Sequence, residues 1–209
     1  YIRGGTPDQN LFLIDGCDVY NPEHAFGIFS TFNTDAIKQV DLSKGGFSSE
    51  YGGRLSSVLH VINLDGNRNK FEGIASLSLL SAKTTLQIPL GSFGSLSGSF
   101  RRTYLDQTVG KMIDDIPNYY FYDGNLKGFF EISDKDKLTI SFFGGKDKLD
   151  YKFNPDSKES PEIRYEWGNN TGSINYKRIL SSQLFSSFWI TASRFASNFA
   201  LSDFELKEN

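Results

Sequence analysis

The sequence has one cysteine and two histidines among its 209 residues, which leaves little for disulfides or a histidine-rich metal site. It also lacks any apolar run near the roughly 20 residues that a transmembrane helix requires. Basic residues do not predominate, because 22 Lys and Arg stand against 25 Asp and Glu, for a net charge of −3. Nucleic-acid-binding proteins usually present a strongly basic face. We therefore expect no internal disulfide framework, no cofactor and no nucleic-acid partner.

Aromatic residues and glycine are abundant, at 15% of the chain and 20 residues respectively, a composition that favours β structure. After about residue 70, apolar and polar residues alternate, as in 138–142, where Leu, Ile and Phe alternate with Thr and Ser. A period of two places successive side chains on opposite faces of a strand. The pattern predicts seven antiparallel strands. Only the last, at 183–198, is ambiguous, because Phe188 and Trp189 fall on opposite faces.

The predicted connections differ in length. Those at 91–94, 133–137 and 180–182 are tight turns, whereas 105–118 and 149–162 are long and polar. Short turns at one end and long loops at the other are typical of outer-membrane β-barrels. Aromatic residues at the long-loop ends predict an upper aromatic girdle; they are Tyr104, Tyr119, Tyr120, Phe121, Tyr122, Tyr165 and Trp167. A soluble β-sandwich also has alternating strands and remains open on pattern alone.

The first 65 residues have a mixed pattern. An apolar run at 10–14 predicts a buried strand that ends in an Asp15-Gly16 turn. Thr34 is the predicted N-cap of one helical turn, and 39–42 and 57–64 are predicted strands. Together with several glycine-rich turns, these features indicate a compact α+β unit.

The ordered motifs of this first part resemble the plug domain of TonB-dependent outer-membrane receptors, of the Bacteroidota type. The resemblance continues into what look like the opening barrel strands and covers essentially the whole chain. The segments that carry it are 3–10 (RGGTPDQN), 13–16 (LIDG), 19–22 (VYNP), 33–37, 40–47 (VDLSKGGF), 50–58 (EYGGRLSSV), 78–83 and 101–106.

The resemblance implies a mixed fold, in which part of a small α+β plug domain (1–67) is followed by antiparallel transmembrane β-barrel strands (68–209). Receptors of this family have 22 strands with the plug inside the barrel, so about seven strands are expected here. The chain is then an internal fragment, with the TonB box and the first half of the plug upstream.

The resemblance also implies the function, which is that of a receptor in the cell outer membrane and not of an enzyme. Such a receptor binds a scarce solute, chelate, glycan or peptide and imports it when the TonB energy-transducing protein remodels the plug. Expected partners are therefore TonB, the solute and outer-membrane lipid, and a lipoprotein partner is left open.

Eight residues match plug motif positions or are expected at plug–barrel contacts: Arg3, Gly4, Asp15, Gly16, Glu50, Tyr51, Gly52 and Arg54. Arg3 and Arg54 are expected to pair with barrel acids such as Glu131. No catalytic, cofactor or metal residues are expected.

Three residues outside this set have plain structural interpretations. Cys17 is expected in the core, His60 as a hydrogen-bonded strand residue, and His24 not as a metal ligand, because its acidic neighbours lack ligand spacing. Apolar residues at helical spacing in 105–116 predict a short helix over the barrel mouth. This loop and 147–162 are the expected substrate contacts.

Two alternatives remain at this stage. One is a receptor of the same family whose main task is signalling to a periplasmic regulator. The other is a soluble surface β-sandwich that binds glycans. Outward-facing apolar residues count against the sandwich, which would have to bury them; they are Leu86, Ile88, Phe130, Ile132 and Ile140.

Overall fold

The computed structural model describes residues 6–24, 27–108, 117–153 and 160–202. These ranges contain thirteen strands and short 3₁₀ turns. The strands are β1 (Asn10–Ile14), β2 (Cys17–Asp18), β3 (Glu23–His24), β4 (Phe29–Ser30), β5 (Ile37–Ser43), β6 (Ser57–Asn63), β7 (Glu72–Leu77), β8 (Ser81–Pro89), β9 (Gly94–Thr103), β10 (Asn118–Glu131), β11 (Asp136–Lys152), β12 (Glu162–Ile179) and β13 (Phe185–Ser202). Within these ranges, no helix has the length and apolar character needed to cross a membrane.

Strands β7 to β13 form one seven-stranded antiparallel sheet, here called the long sheet, in which each strand pairs with its neighbours in sequence. The alternation in sequence explains its two faces. On β9, the small polar Ser95, Ser97 and Ser99 are buried, whereas Phe100 on the opposite face is half exposed. The strand predictions are confirmed as antiparallel β structure, and the ambiguous last segment is the long strand β13.

A four-stranded sheet in the order β2-β1-β6-β5, here called the N-terminal sheet, precedes the long sheet. β1 and β6 are parallel, and β1 and β2 form a hairpin through a two-residue turn. Both turn residues have positive φ, 46° at Asp15 and 80° at Gly16. Asp-Gly is a favoured pair for such a turn, which matches the twist of the flanking strands.

The predicted cap at Thr34 is one residue too late. The 3₁₀ turn Thr34–Ala36 is capped by Asn33, whose side chain accepts a hydrogen bond from the Asp35 amide. Both residue types favour this position; Asn33 takes it because it is the extended residue before the turn. The predicted helix at 105–116 lies mostly outside the described residues; the structure describes 105–108 of this segment, which form a turn.

The predicted aromatic girdle is wrong for three of its members. Tyr119, Phe121 and Trp167 are buried in one cluster on the inner face of the long sheet, the face toward the N-terminal sheet, and Phe29 packs against them. The reason is again the period of two, which turns every second residue of the 119–122 run inward. Tyr120 and Tyr122 have the opposite orientation, and Tyr122 is 39% exposed.

Candidate functional site: the contact between the two sheets

Small polar side chains of the long sheet bind the backbone of the N-terminal segment. The hydroxyl groups of Ser95, Ser173 and Ser193 donate to the carbonyl oxygens of Asp65, Asp15 and Asp18 at 2.8, 2.9 and 2.7 Å. Asn169 pairs with the Asn21 carbonyl and the Tyr20 amide. Ser and Asn on the inner face therefore satisfy backbone groups that a buried connection would otherwise leave without partners.

A buried lysine of β10 joins the two sheets at the end of β1. The Lys127 ammonium group lies 2.8 Å from an Asp15 carboxylate oxygen, 2.9 Å from the Asp65 carboxylate and 2.9 Å from the Asn63 carbonyl oxygen. Lys38 makes the second ion pair to Asp65. Two acids thus meet two bases, and the cluster is electrically balanced.

These ion pairs determine the pKa of the Asp65 carboxyl group. Burial by itself would raise the pKa of the Asp65 carboxyl, but hydrogen bonds from Lys38 and Lys127 outweigh it and hold the pKa below its usual value. Asp65 therefore remains charged near neutral pH and keeps its pairing with Lys127.

A second buried cluster surrounds His24, nearer the long-loop end of the long sheet. Nδ1 of His24 lies 2.6 Å from the Asp147 carboxylate, and Nε2 lies 3.5 Å from the Asp123 carboxylate. Arg101 pairs with the same Asp123 at 2.6 Å and also donates to the Ser30 carbonyl. The Tyr119 hydroxyl donates to Asp147. The β3–β4 hairpin, which is separate from the N-terminal sheet, thus meets the long sheet in one charged network.

The charge of this network depends on His24. Two carboxylates face the single permanent cation of Arg101, so protonated His24 completes the balance. Burial lowers the pKa of His24, but the adjoining carboxylates of Asp123 and Asp147 outweigh it and raise the pKa above its usual value. The imidazole also stacks on Phe121, with ring centres 4.0 Å apart, and the Arg101 guanidinium lies 4.9 Å from the centre of the same Phe121 ring.

The Asp15–Gly16 turn lies between β6 of the N-terminal sheet and β13 of the long sheet. Gly16 donates its backbone N–H to Nε2 of His60 at 3.0 Å, which requires that nitrogen to be unprotonated. Burial, the largest influence, lowers the pKa of His60 and favours this neutral form. Trp189 of β13 lies against Gly16 so closely that a Cβ there would meet the ring at 2.7 Å.

Replacing Gly16 with Ala is expected to weaken the contact between the sheets. The left-handed φ of 80° costs an L-residue about 1–2 kcal/mol, and the added methyl group must also displace Trp189. The measurement is the urea concentration that exposes the buried thiol of Cys17 to a maleimide. Gly52→Ala is the matched control, since a Cβ there meets no atom within 4 Å. Equal midpoints for the two variants would contradict this role for Gly16.

The residues predicted from sequence are distributed over several places. Arg3 and Gly4 lie outside the described residues. Asp15 and Gly16 lie at the contact between the sheets. Tyr51 packs against the buried cluster of Leu11, Leu13 and Val58, beside the exposed Glu50 and Gly52.

The predicted pairing of Arg54 with Glu131 is not seen in the described part of the chain, and the predicted pairing of Arg3 lies outside the described residues. Arg54 donates to the neighbouring Gly53 carbonyl, and Glu131 pairs with Arg68 and Lys137. Glu131 lies near the tight-turn end of the long sheet, and it therefore meets bases of that end. The assignment of these residues as functional stays a prediction.

Sequence reasoning missed the residues that carry the most buried charge, namely Lys127, Asp123, Asp147 and His24. A signal was present in β10, where Asp123 and Lys127 fall on the same buried face as Tyr119 and Phe121. A charge on the buried face of a strand needs a partner. Among the described residues, no group of His, Cys, Asp or Glu is arranged to hold a metal ion.

The N-terminal part of this arrangement matches a known family in sequence. Residues 1–57 match the TonB-dependent Receptor Plug Domain. The match supports membership of the TonB-dependent receptor family, a family of receptors and transporters and not of enzymes. No curated protein matches the chain. The plug match ends at Ser57, where β6 begins, so β1, β2 and β5 all lie within it.

Proposed function

We propose that the chain is part of an outer-membrane receptor that binds a scarce extracellular solute and imports it by TonB-driven remodelling of the plug. The observation that carries the proposal is the pairing of a plug-matching segment with the inner face of the long sheet through buried charges. A plug must be held firmly at rest and still be separable from the wall. Polar and ionic contacts suit this requirement better than a continuous apolar core.

The outer face of the long sheet, opposite the N-terminal sheet, supports a membrane location. Large apolar side chains there are exposed, including Leu86, Ile88, Leu126, Ile140 and Ile174 at 40–57%. A soluble sandwich would bury such a face, whereas lipid covers it in a transmembrane barrel. In this proposal, residues 1–67 belong to the plug and 68–209 to the barrel wall, with about fifteen further strands supplied by a longer chain.

The proposed partners are those expected of a TonB-dependent receptor. TonB pulls on a segment outside this chain, and the solute is a chelate, cobalamin, glycan or peptide. Segments 105–116 and 147–162 are the proposed solute contacts, because loops at one end of a scaffold commonly carry specificity; of the second segment, 147–152 belong to the end of β11.

A growth experiment tests transport. Strains lacking either the full-length receptor gene or the TonB gene are grown on a panel of limiting solutes. The proposal predicts that, for one solute, both strains require the same raised concentration and that restoring the receptor gene cures only the first strain. A solute requirement in the receptor mutant that is absent from the TonB mutant would contradict TonB-driven import.

A further inference from the structure

The chain passes from the N-terminal sheet to the long sheet through residues 64–71, and the first part of this connection lies on β9. Ser95, which is fully buried, donates its hydroxyl to the Asp65 carbonyl oxygen at 2.8 Å. Gly66 has a φ of 92°, and a Cβ there would lie 2.4 Å from the Leu96 carbonyl oxygen. The glycine therefore lets the backbone of the connection lie directly on the backbone of β9.

Buried charges fix the same short stretch to β10. The Lys127 ammonium group lies 2.9 Å from both the Asn63 carbonyl oxygen and the Asp65 carboxylate, in addition to its ion pair with Asp15. If Asp15 moved away, Lys127 would keep Asp65 as its acidic partner, and no buried cation would be left without an anion. The cluster can therefore release the end of β1 and still hold residues 63–66, here called the wall attachment.

The strands of the N-terminal sheet differ in how they are joined to the wall attachment. β6 ends at Asn63 and continues directly into it, and β5 pairs with β6 and holds Asp65 through Lys38. β1 is joined to β6 by five parallel register pairs, and β2 meets the long sheet through the hydrogen bond from Ser193 to the Asp18 carbonyl. A pull that reaches the chain before β1 therefore acts on the β1–β6 pairing before it acts on the wall attachment.

We infer that the wall attachment stays on β9 and β10 when TonB pulls, so that the plug opens in place by separation of β1 and β2 from β6 and is not withdrawn as one body. Withdrawal as one body would have to break the bonds of Asp65 to Ser95 and Lys127 together. The freed residues 66–71 would then let the plug travel only about 20 Å. The inference rests on the proposed function, because it takes the pull of TonB to arrive from the N-terminal side of the chain.

Single-molecule force measurements on the full-length receptor in a lipid bilayer test this inference, with the pull applied through a handle at its N-terminus. Two cysteine pairs are compared in a Cys17→Ser background, each with and without reductant. One pair is Asp65→Cys with Ser95→Cys, and the other is Asp18→Cys with Ser193→Cys. The pairs are matched, because in each a serine hydroxyl of the long sheet bonds an aspartate carbonyl oxygen, at 2.8 and 2.7 Å.

The two pairs have different expected results. The oxidised Asp18 pair is expected to lose the release of residues 19–62, about 150 Å of extended chain, which identifies that step in the wild type. The oxidised Asp65 pair is expected to keep the same step at an unchanged force. A step of only about 20 Å that precedes it in the wild type and disappears on oxidation of the Asp65 pair would show withdrawal as one body and overturn the inference.

Gly66→Ala tests the wall attachment without cysteines. It is expected to lower the force of the last plug step, the release of 63–66, and to leave the release of 19–62 unchanged. Gly53→Ala is the matched control, because Gly53 also has a positive φ, 78°, but a Cβ there meets no atom within 4 Å. Equal forces for the last step in the two variants would contradict the attachment. Because these forces are measured without any solute, failure of the growth experiment would defeat the proposed function alone, and the two failures are distinguishable.

Discussion

Replacing Lys127 with Met is expected to release the N-terminal sheet from the long sheet more readily than any other single change on β10. Met fills a similar volume but removes the cation, so Asp15 loses its ion-pair partner and Asp65 keeps only Lys38. Removing one partner of a buried ion pair typically costs about 3–5 kcal/mol, because the remaining charge stays buried without compensation.

The buried thiol of Cys17 reports this release. Cys17 is 2% exposed, and burial, the main cause, raises the pKa of its thiol, so its reaction with a maleimide is slow while the sheets are in contact. If labelling requires transient separation, a loss of about 3 kcal/mol speeds it roughly 100-fold.

Lys137→Met is the matched control for this experiment. Lys137 lies in the same sheet, but it is 40% exposed, and its nearest acidic partner is Glu131 at 3.5 Å. Exposed ion pairs contribute little to stability. The Cys17 thiol of Lys137→Met is therefore expected to react with the maleimide at a rate within about twofold of the wild-type rate. A Lys127→Met protein that labels at the control rate would show that this ion pair does not hold the sheets together.

The second large effect is a pH dependence of the contact between the N-terminal segment and the long sheet. It arises from the protonation of His24. Its pKa is raised where the β3–β4 hairpin meets the long sheet, so the stabilisation from its protonated form is fully present below the ordinary value of about 6.5 and is lost as the pH rises through the raised value. Between these two values, each pH unit removes about 1.4 kcal/mol. Above the raised value, Arg101 alone balances Asp123 and Asp147.

The measurement is the urea midpoint of Cys17 exposure over a pH series, with each labelling rate divided by that of the unfolded chain at the same pH. The wild-type midpoint is expected to fall as the pH rises above 6.5. His24→Gln, which keeps hydrogen-bonding groups but cannot gain a proton, is expected to be about 3 kcal/mol weaker at low pH and to lack this fall. A wild-type fall that persists unchanged in His24→Gln would assign the titration to another group.

The opposite behaviour of His60 provides an internal comparison. Burial, the main cause, lowers its pKa, and the Gly16 amide requires a neutral acceptor. Protonation of His60 as the pH falls below about 6.5 therefore weakens the attachment of the Asp15–Gly16 turn to β6, within the N-terminal sheet. The contribution of His60 is lost toward acid pH, whereas the contribution of His24 is lost toward alkaline pH.

The long sheet was predictable because six of its seven predicted strands alternate between polar and apolar residues, the last strand being the exception. Ser97, Ser99 and Thr171 are all buried as this period requires. The hairpin at Asp15–Gly16 was predictable for a different reason, since few residue pairs tolerate two positive φ angles in succession.

The ionic contacts were not predictable from local pattern. His24 meets Asp123 and Asp147 across 99 and 123 positions of sequence, and only the docking of the β3–β4 hairpin on the long sheet brings them together. The same docking explains why Tyr119, Phe121 and Trp167 are buried. Aromatic residues at these strand ends fit both a girdle at the membrane surface and a buried cluster against the plug-matching segment, so the sequence pattern does not distinguish the two.

The central claim is that the long sheet is the wall of an outer-membrane barrel with the plug-matching segment on its inner face. Fractionation of cells that produce the full-length protein, followed by electrophoresis with and without boiling, tests it most directly. We predict that the protein is found in the outer-membrane fraction and migrates faster unboiled, because a closed barrel keeps its compact form until it is heated. A protein found in the aqueous fraction, with one mobility under both conditions, would contradict the account.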